Sequence, residues 1–78
     1  MKEKEFVEYI AKSLVDYPDD VKINLVEGEK TTLIELKVNP EDIGKIIGKN
    51  GSIIKALRVL LSSLDSKNGR RIALEIKE

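Results

Sequence analysis

Residues 43–55 read IGKIIGKNGSIIK, and this stretch decides the fold. Isoleucines recur at helical spacing on both sides of Gly48-Lys49-Asn50-Gly51, which predicts two short helices joined by a tight corner. Glycine has no Cβ, so this corner can take unusual φ/ψ angles and a ligand backbone can approach it closely. The amides that open the helix after Gly51 are expected to point outward and form an anion site. The corner therefore indicates a contact with phosphate.

Cationic and polar side chains surround this corner. Lys49 at its tip can reach a phosphate, and Asn50 can hydrogen-bond a phosphate or a sugar. Ile43, Ile46 and Ile47 are expected to face inward and, with a neighbouring strand, to floor a groove for bases. A phosphate clamp beside an apolar floor suits single strands, whose bases are splayed out. The flanking helices add further candidate contacts: Lys45, Ile47, Ser52, Lys55 and Arg58.

The corner taken alone is a weak signal. Glycines end helices in many proteins, and isoleucines are more often plain core than groove floor. Arg70 and Arg71 are more often solvated than binding. The segment is not a P-loop, because the Gly-x-x-x-x-Gly-Lys-Ser/Thr spacing is missing and a helix precedes it. The rest of the chain therefore has to support the interpretation.

Hydrophobic spacing before the corner predicts an amphipathic helix over residues 3–15, followed by alternating strands over 21–25 and 31–38. The strands are antiparallel, because the turn between them is too short for any other connection. Gly28 in this turn is expected to supply a positive φ. Asn39 and Pro40 then predict the start of the helix that leads into the corner.

The chain after the corner predicts one helix, a turn over 67–69 and a final strand over 70–77. The helix carries a core stripe with flanking apolar residues: Ile54, Leu57, Leu61 and Leu64, flanked by Ile53, Ala56 and Leu60. The element order is α-β-β-α-α-β. A crossover through two helices permits a parallel strand pair, which makes the three-stranded sheet mixed. The predicted fold class is a two-layer α/β (α+β) sandwich with the helices on one face of the sheet.

Composition excludes several classes of function. The 78 residues suffice for one domain, and the chain has neither cysteine nor histidine. Disulfides, the common metal sites and Ser-His-Asp triads are therefore excluded, and we expect no catalysis, no metal and no cofactor. No apolar run approaches the roughly 20 residues that span a bilayer, and the charged N-terminus does not resemble a secretory signal. We expect a cytoplasmic protein without a membrane partner.

The net charge of zero hides an asymmetry along the chain. Residues 1–42 hold 6 Lys and 11 Asp/Glu, a balance of −5. Residues 43–78 hold 8 Lys/Arg and 3 Asp/Glu, a balance of +5. Charges on a small domain are often only solvated surface. Local sign asymmetry is nevertheless what a phosphate-binding face requires, and the basic half begins where the corner does.

The string GKIIGKNG over residues 44–51, set between helices with strands outside them, resembles the KH family. An αβ extension over residues 1–30 before a β-α-α-β core over 31–78 is similar to the type II KH arrangement, as one domain over 1–78. The short chain and the wording DIGKIIGKNGSIIKALR over 42–58 resemble the small stand-alone bacterial KH proteins of the KhpA family.

That resemblance implies a non-catalytic protein that binds single-stranded RNA, with RNA-chaperone and post-transcriptional roles and a link to cell-envelope homeostasis, cell wall biogenesis and cell shape. It also implies a second KH protein as a partner. Residues 48–51 would be the clamp, with Lys45, Lys55 and Arg58 as flanking contacts. The family commonly has arginine after the second glycine, where this chain has Ser52, which implies weaker or more salt-sensitive binding. The alternative is a dimerisation module in which RNA binding is secondary.

Overall fold

The computed structural model of the protein describes residues 2–68 and 71–77, with side chains described over 2–63 and 71–77. Single turns of 3-10 helix cover Pro18–Asp20, Pro40–Asp42 and Lys49–Gly51. The predicted order α-β-β-α-α-β is confirmed. The helices and strands follow one another as α1 (Lys2–Leu14), β1 (Lys22–Glu27), β2 (Thr31–Lys37), α2 (Ile43–Ile47), α3 (Ser52–Asn68) and β3 (Arg71–Lys77).

The three strands form one mixed sheet in the order β1-β2-β3. β2 pairs with β1 in an antiparallel register and with β3 in a parallel one, so that Leu25, Ile34 and Leu74 are cross-strand neighbours. The hairpin enforces the first pairing, because β1 and β2 are separated by only a short turn. The crossover through α2 and α3 permits the second pairing, as the sequence predicts.

Burial alternates along β2 and β3, which shows that the helices pack on one face of the sheet. α1 and β1 pack together, and α3 packs on β3. The predicted core stripe on α3 is confirmed for its three described members, while the side chain of Leu64 lies outside the described ones. The core combines residues of the three helices, of β2 and β3, and of the positions directly before β1 and after β2: Val7, Ala11, Val21, Ile34, Leu36, Val38, Ile46, Ile54, Leu57, Leu61, Ile72 and Leu74. The predicted two-layer sandwich is confirmed.

Asn39 begins the segment that leads into the corner, as predicted. Its side-chain oxygen accepts a hydrogen bond from the Glu41 amide at 2.9 Å, and Pro40 occupies the first position after it. Capping of this kind satisfies an amide that the helix itself leaves unpaired. The first turn is a 3-10 turn, and α2 continues from it at Ile43.

The expectation that Gly28 supplies a positive φ is wrong. Gly48 and Gly51 are the described glycines with positive φ. The Gly28 amide donates to the carbonyl of Thr31 at 2.7 Å, and a Cβ at Gly28 would lie 3.2 Å from that oxygen. Glycine is favoured there because the two sides of the turn approach closely.

One predicted face and one predicted turn also differ from the structure. Ile47 was expected to face inward, but its side chain is 36% exposed. Ala56 and Leu60, which flank the core stripe of α3, are exposed as well. The turn expected over 67–69 begins too early, because α3 continues through Asn68 with no glycine or proline to stop it. Gly69 and Arg70 lie outside the described residues.

Candidate nucleic-acid interface

The GxxG loop, residues 48–51, reverses the chain between α2 and α3 through three unusual backbone conformations. Gly48 has φ 78° and ψ 172°, a region that is essentially restricted to glycine. Asn50 is left-handed with φ 57° and ψ 25°, and asparagine is among the few residues that tolerate this conformation. Gly51 follows with φ 74°. The sequence therefore meets the conformational demands of the loop at each position that has a positive φ.

The two glycines have different packing roles. A Cβ at Gly48 would lie 2.6 Å from Cγ1 of Ile53 and 2.9 Å from its amide nitrogen, so α3 could not approach the loop as closely. A Cβ at Gly51 would meet nothing nearer than Cε of Lys55 at 3.7 Å. Gly48 therefore allows both the turn and the close packing of α3, whereas Gly51 serves the turn alone.

The first amide of α3, that of Ser52, is used inside the loop, contrary to the expectation that it points outward. The Gly51 amide donates to the Gly48 carbonyl at 3.1 Å, and the Ser52 amide donates to the Lys49 carbonyl. Ser52 has helical angles of φ −64° and ψ −37°, so it is the first helical residue and does not cap the helix. Its exposed hydroxyl and the side chains at the tip are among the groups available to a ligand.

Four of the candidate residues lie together along one edge of the molecule. Lys49 and Asn50 are exposed at the tip of the GxxG loop. Lys55 places its side chain beside Gly51, and Arg58 follows it one helical turn along α3. Neither Lys49 nor Lys55 has an ion pair with any described residue. This edge therefore presents exposed cations with no acidic neighbour to neutralise them.

Arg58 connects this edge to the sheet. Its Nη2 donates to the carbonyl of Leu74 at 3.3 Å. β3 is an outer strand of the sheet, so the Leu74 carbonyl points to a free edge. A guanidinium has five N–H donors, and one bond to Leu74 leaves others to meet a ligand. The loop, the first turns of α3 and the free edge of β3 thus form one continuous surface.

The predicted apolar groove floor is only partly present. Ile46 is fully buried in the core and cannot contact a base, and Ile43 is partly buried against the core. Ile47 is the exposed member of the three and stands directly before Gly48. The short α2 turns one apolar side to the core, which leaves a single isoleucine beside the loop.

Lys45 lies away from this edge and bonds to the segment that follows α1. Its Nζ lies 3.0 Å from Oδ2 of Asp16 and 3.4 Å from Oδ1 of Asp42. The hydrogen bond to Asp16 raises the pKa of Lys45 most; partial burial opposes it, and Asp42 supports it. Unlike Lys49 and Lys55, Lys45 is therefore held by two carboxylates.

Asp42 is a fully buried carboxylate directly before α2. Its oxygens accept from the amides of Asp16 at 3.1 Å and Tyr17 at 3.0 Å. Burial raises the pKa of Asp42, but these two amides and Lys45 outweigh it and hold the pKa below its usual value. Asp42 precedes the buried Ile46 by four residues, and that spacing was the available signal that it faces inward.

A comparison with protein families matches residues 4–76 to the family described as KhpA/KhpB, KH domain. The RNA-binding protein KhpA of Chlamydia pneumoniae is 55% identical over 75 residues, covering 96% of this chain and 96% of its own. RNA-binding protein KhpA of Borreliella burgdorferi is 53% identical over 74 residues, covering 95% of this chain and 90% of its own. The counterpart of the same name in Aquifex aeolicus is 51% identical over 75 residues, covering 96% and 95%.

Two solved structures share the fold. A crystal structure of Aquifex aeolicus Era bound to GDP·AlF4− superposes with a TM-score of 0.60 at 24% identity, over 95% of this chain and 29% of the Era chain. A structure of Era with MgGDPNP and nucleotides 1506–1542 of 16S ribosomal RNA gives a TM-score of 0.61 at 24% identity, over 95% and 28%. At this identity the likeness shows a common fold within a longer protein.

Proposed function

The chain belongs to the KhpA/KhpB family of KH domains, and we propose that it binds single-stranded RNA without catalysing a reaction on it. KH modules clamp the backbone of four nucleotides with a GxxG loop. The observation that carries the proposal is the conformation of this loop, in which Gly48 packs against Ile53 and holds Lys49 and Asn50 at an exposed tip. The names of the relatives, RNA-binding protein KhpA, support the same assignment.

In this proposal the contacts divide by position. Gly48, Lys49, Asn50 and Gly51 clamp the RNA backbone, and Lys49 supplies the positive charge at the tip. Flanking contacts come from residues beside the loop, namely Ile47, Ser52, Lys55 and Arg58. Lys45 acts as a positioning residue, because its ammonium group is held by two carboxylates away from the loop.

Base recognition in this proposal depends little on aromatic stacking. The exposed aromatic residues are Tyr9 on α1 and Tyr17 after it, and neither belongs to the edge formed by the loop and β3. The free edge of β3, with Arg58 at Leu74, is the polar surface nearest to bases held beside the loop. We therefore propose hydrogen bonding and backbone contacts as the main source of affinity.

The finer roles are proposals that follow from family membership. They are RNA chaperoning, post-transcriptional regulation in the cytoplasm, and a link to the cell envelope. Among the described residues no helix is long and apolar enough to cross a membrane. Crosslinking in cells followed by sequencing of the bound RNA tests these roles. Enrichment of transcripts for envelope proteins supports them, and an RNA population that matches total RNA contradicts them.

The double variant Lys49→Asp with Asn50→Asp tests the proposed function. It places two carboxylates where phosphate must lie, and aspartate tolerates the left-handed conformation of residue 50. We expect RNA affinity to fall by about a hundredfold or more, since charge-assisted contacts are each worth about 1.5–3 kcal/mol. Fluorescence anisotropy with a labelled single-stranded RNA measures the loss.

A matched control changes the net charge equally at other places. Lys30→Asp with Lys2→Gln alters the turn between β1 and β2 and the start of α1, away from the GxxG loop. It should reduce affinity only slightly. An unaltered circular dichroism spectrum shows that both variants fold. Normal RNA binding by the loop variant at moderate salt would sink the proposal.

A second candidate function is pairing with another KH domain through α3. Val59 is 66% exposed and Leu60 50% exposed on the same side of this helix, with the exposed Ala56 beside them. An apolar strip of this kind suits a second helix. We expect a dimer by sedimentation equilibrium that Leu60→Asp converts to a monomer. A strictly monomeric wild-type protein that binds RNA would contradict this candidate.

A further inference from the structure

Three lysines lie in one row across the face of the sheet that is turned away from the helices. Lys22 of β1 pairs in register with Lys37 of β2, and Lys37 pairs with Lys77 of β3. Neighbouring strands are about 4.8 Å apart, so the side chains of such a row begin close together. The next row along the same face holds Asn24, Glu35 and Glu75.

One member of the lysine row is neutralised and two are not. Lys77 Nζ lies 3.2 Å from Oε2 of Glu35 and 3.2 Å from Oε1 of Glu75. Asn24 donates to the other oxygen of Glu35 at 2.8 Å, so that carboxylate is fully engaged. Over the part of the chain that the structure describes, Lys22 and Lys37 have no ion pair. Two uncompensated cations therefore stand directly opposite one another.

Like charges at directly opposed positions destabilise a sheet. An anion placed between Lys22 and Lys37 would remove that repulsion. Both lysines line each of two shallow hollows, of about 350 Å³ and about 460 Å³. Asp20 also borders the larger hollow, and its carboxylate accepts a hydrogen bond from the side chain of Asn39 at 3.0 Å. Glu35 and Lys77 also line the smaller hollow, but they are paired with each other, so Lys22 and Lys37 are the cations of this surface that have no ion pair with a described residue. The hollows leave room for a phosphate group beside these two lysines.

The lysine row lies at the same end of the molecule as the GxxG loop. β2 and β3 run parallel and end at Lys37 and Lys77. α3 returns along β3 in the opposite direction, as the bond from Arg58 to Leu74 shows, so the start of α3 lies near the end of β3. The GxxG loop directly precedes α3. A strand that leaves the loop across the edge of β3 therefore arrives at the row.

We propose that Lys22 and Lys37 form a second phosphate-contact site, which holds the backbone of an RNA strand extending beyond the GxxG loop. The inference rests on the proposed function, because the same strand fills both sites. The net positive charge of the pair favours a polyanion, and continuity with the loop favours RNA over an acidic protein segment. The footprint then exceeds the four nucleotides of a KH clamp.

The double variant Lys22→Gln with Lys37→Gln separates the two sites. A four-nucleotide RNA fills only the loop, whereas an RNA of about 16 nucleotides, the upper site size of small single-strand-binding folds, also reaches the lysine pair. We expect the variant to bind the short RNA as the wild type does and to bind the long RNA more weakly. A plot of log K against log salt has a negative slope for the long RNA. We expect this slope to become shallower by about 1.4 in the variant, which corresponds to two lost phosphate contacts.

Lys2→Gln with Lys30→Gln is the control, since it removes the same charge away from the lysine row. If both double variants lose the same affinity for the long RNA, the second site is overturned and only general electrostatic attraction remains. Unchanged binding of the long RNA by Lys22→Gln with Lys37→Gln would also overturn it. The second site would also be overturned if a poly-glutamate peptide bound the wild type but not this variant while the RNA affinity stayed the same. Failure of the wild type to bind the short RNA would instead contradict the proposed function.

Discussion

At the scale of single residues, Gly48 determines how closely α3 can follow α2. Its φ of 78° and ψ of 172° would strain any side chain, and the space where a Cβ would stand is occupied by Ile53. Gly51 shares the positive φ, but a Cβ there would make only ordinary contacts, the nearest at 3.7 Å from Cε of Lys55. The two glycines of the motif are therefore not equivalent, although both are needed for the turn.

The variants Gly48→Ala and Gly51→Ala should differ in stability. Gly48→Ala combines backbone strain with a clash, for an expected loss of about 2–5 kcal/mol in the free energy of unfolding. Gly51→Ala should lose about 1 kcal/mol, because the cost of the left-handed conformation is partly offset by lower entropy of the unfolded chain. Urea unfolding followed by circular dichroism measures both. A larger loss for Gly51→Ala would contradict the packing role of Gly48.

Single residues show where prediction from the sequence ends. The positive φ values at Gly48 and Gly51 follow from the motif, but Gly28 has no such value, because its turn needs glycine for close approach. Lys45 is a cation beside the loop in sequence, yet its partners lie 29 and 3 positions away. A pattern of residue types carries no information on such distances. The site was therefore predicted as a set of candidates and not as an arrangement.

At the scale of elements, Asp42 joins α2 to the segment after α1. It accepts from the amides of Asp16 and Tyr17, and Lys45 spans Asp42 and Asp16. Polar groups of four residues thus satisfy one another at the junction of two helices. Because α2 has only five residues, this junction also fixes the position of the GxxG loop that follows it.

The pH dependence of stability tests this junction. The pKa of Asp42 is lower in the folded protein than the ordinary 3.8, so its stabilisation is fully present above about pH 4 and is lost as the pH falls through the lowered value. Asp42→Asn keeps the shape but places an NH2 group against an amide donor. We expect the variant to be less stable than the wild type at pH 7. We also expect its free energy of unfolding to fall less on acidification.

Urea titrations of both proteins at pH 7 and at about pH 3 give the comparison. Glu35 also has a lowered pKa, because Asn24 and Lys77 bind its carboxylate, so the wild type and the variant share that contribution. The difference between the two acid losses therefore reports Asp42 alone. Equal losses of unfolding free energy in both proteins would show that the stability of the junction does not depend on the charge of Asp42.

The helices and strands were largely predictable from the sequence, because hydrophobic residues recur along each of them with a clear period. Alternation gave β1 and β2, helical spacing gave α1, and Asn39 marked the entry to the corner. The end of α3 was not predicted, because polar residues at its C-terminus resemble a turn while nothing before Gly69 breaks the helix. Which apolar residues of a short helix face outward, such as Ile47, depends on packing that spacing alone does not give.

At the scale of the whole molecule, two surfaces carry lysine pairs that form no ion pair with any described residue. One is the GxxG loop with Lys49 and Lys55, and the other is the row with Lys22 and Lys37. The charge switch at residue 43 predicted the first surface. It concealed the second, because Lys22 and Lys37 belong to the acidic half of the chain and are brought together only by strand pairing.

Chemical shifts can locate the part of the protein that holds the RNA backbone, which we propose to be the GxxG loop. The measurement is a titration of isotope-labelled protein with a four-nucleotide single-stranded RNA, followed by amide chemical shifts. The largest shift changes should fall on residues 48–52, with smaller ones at Lys55 and Arg58 and none beyond noise on α1. Shift changes confined to α1 or to the open face of the sheet, with residues 48–52 unaffected, would contradict the claim.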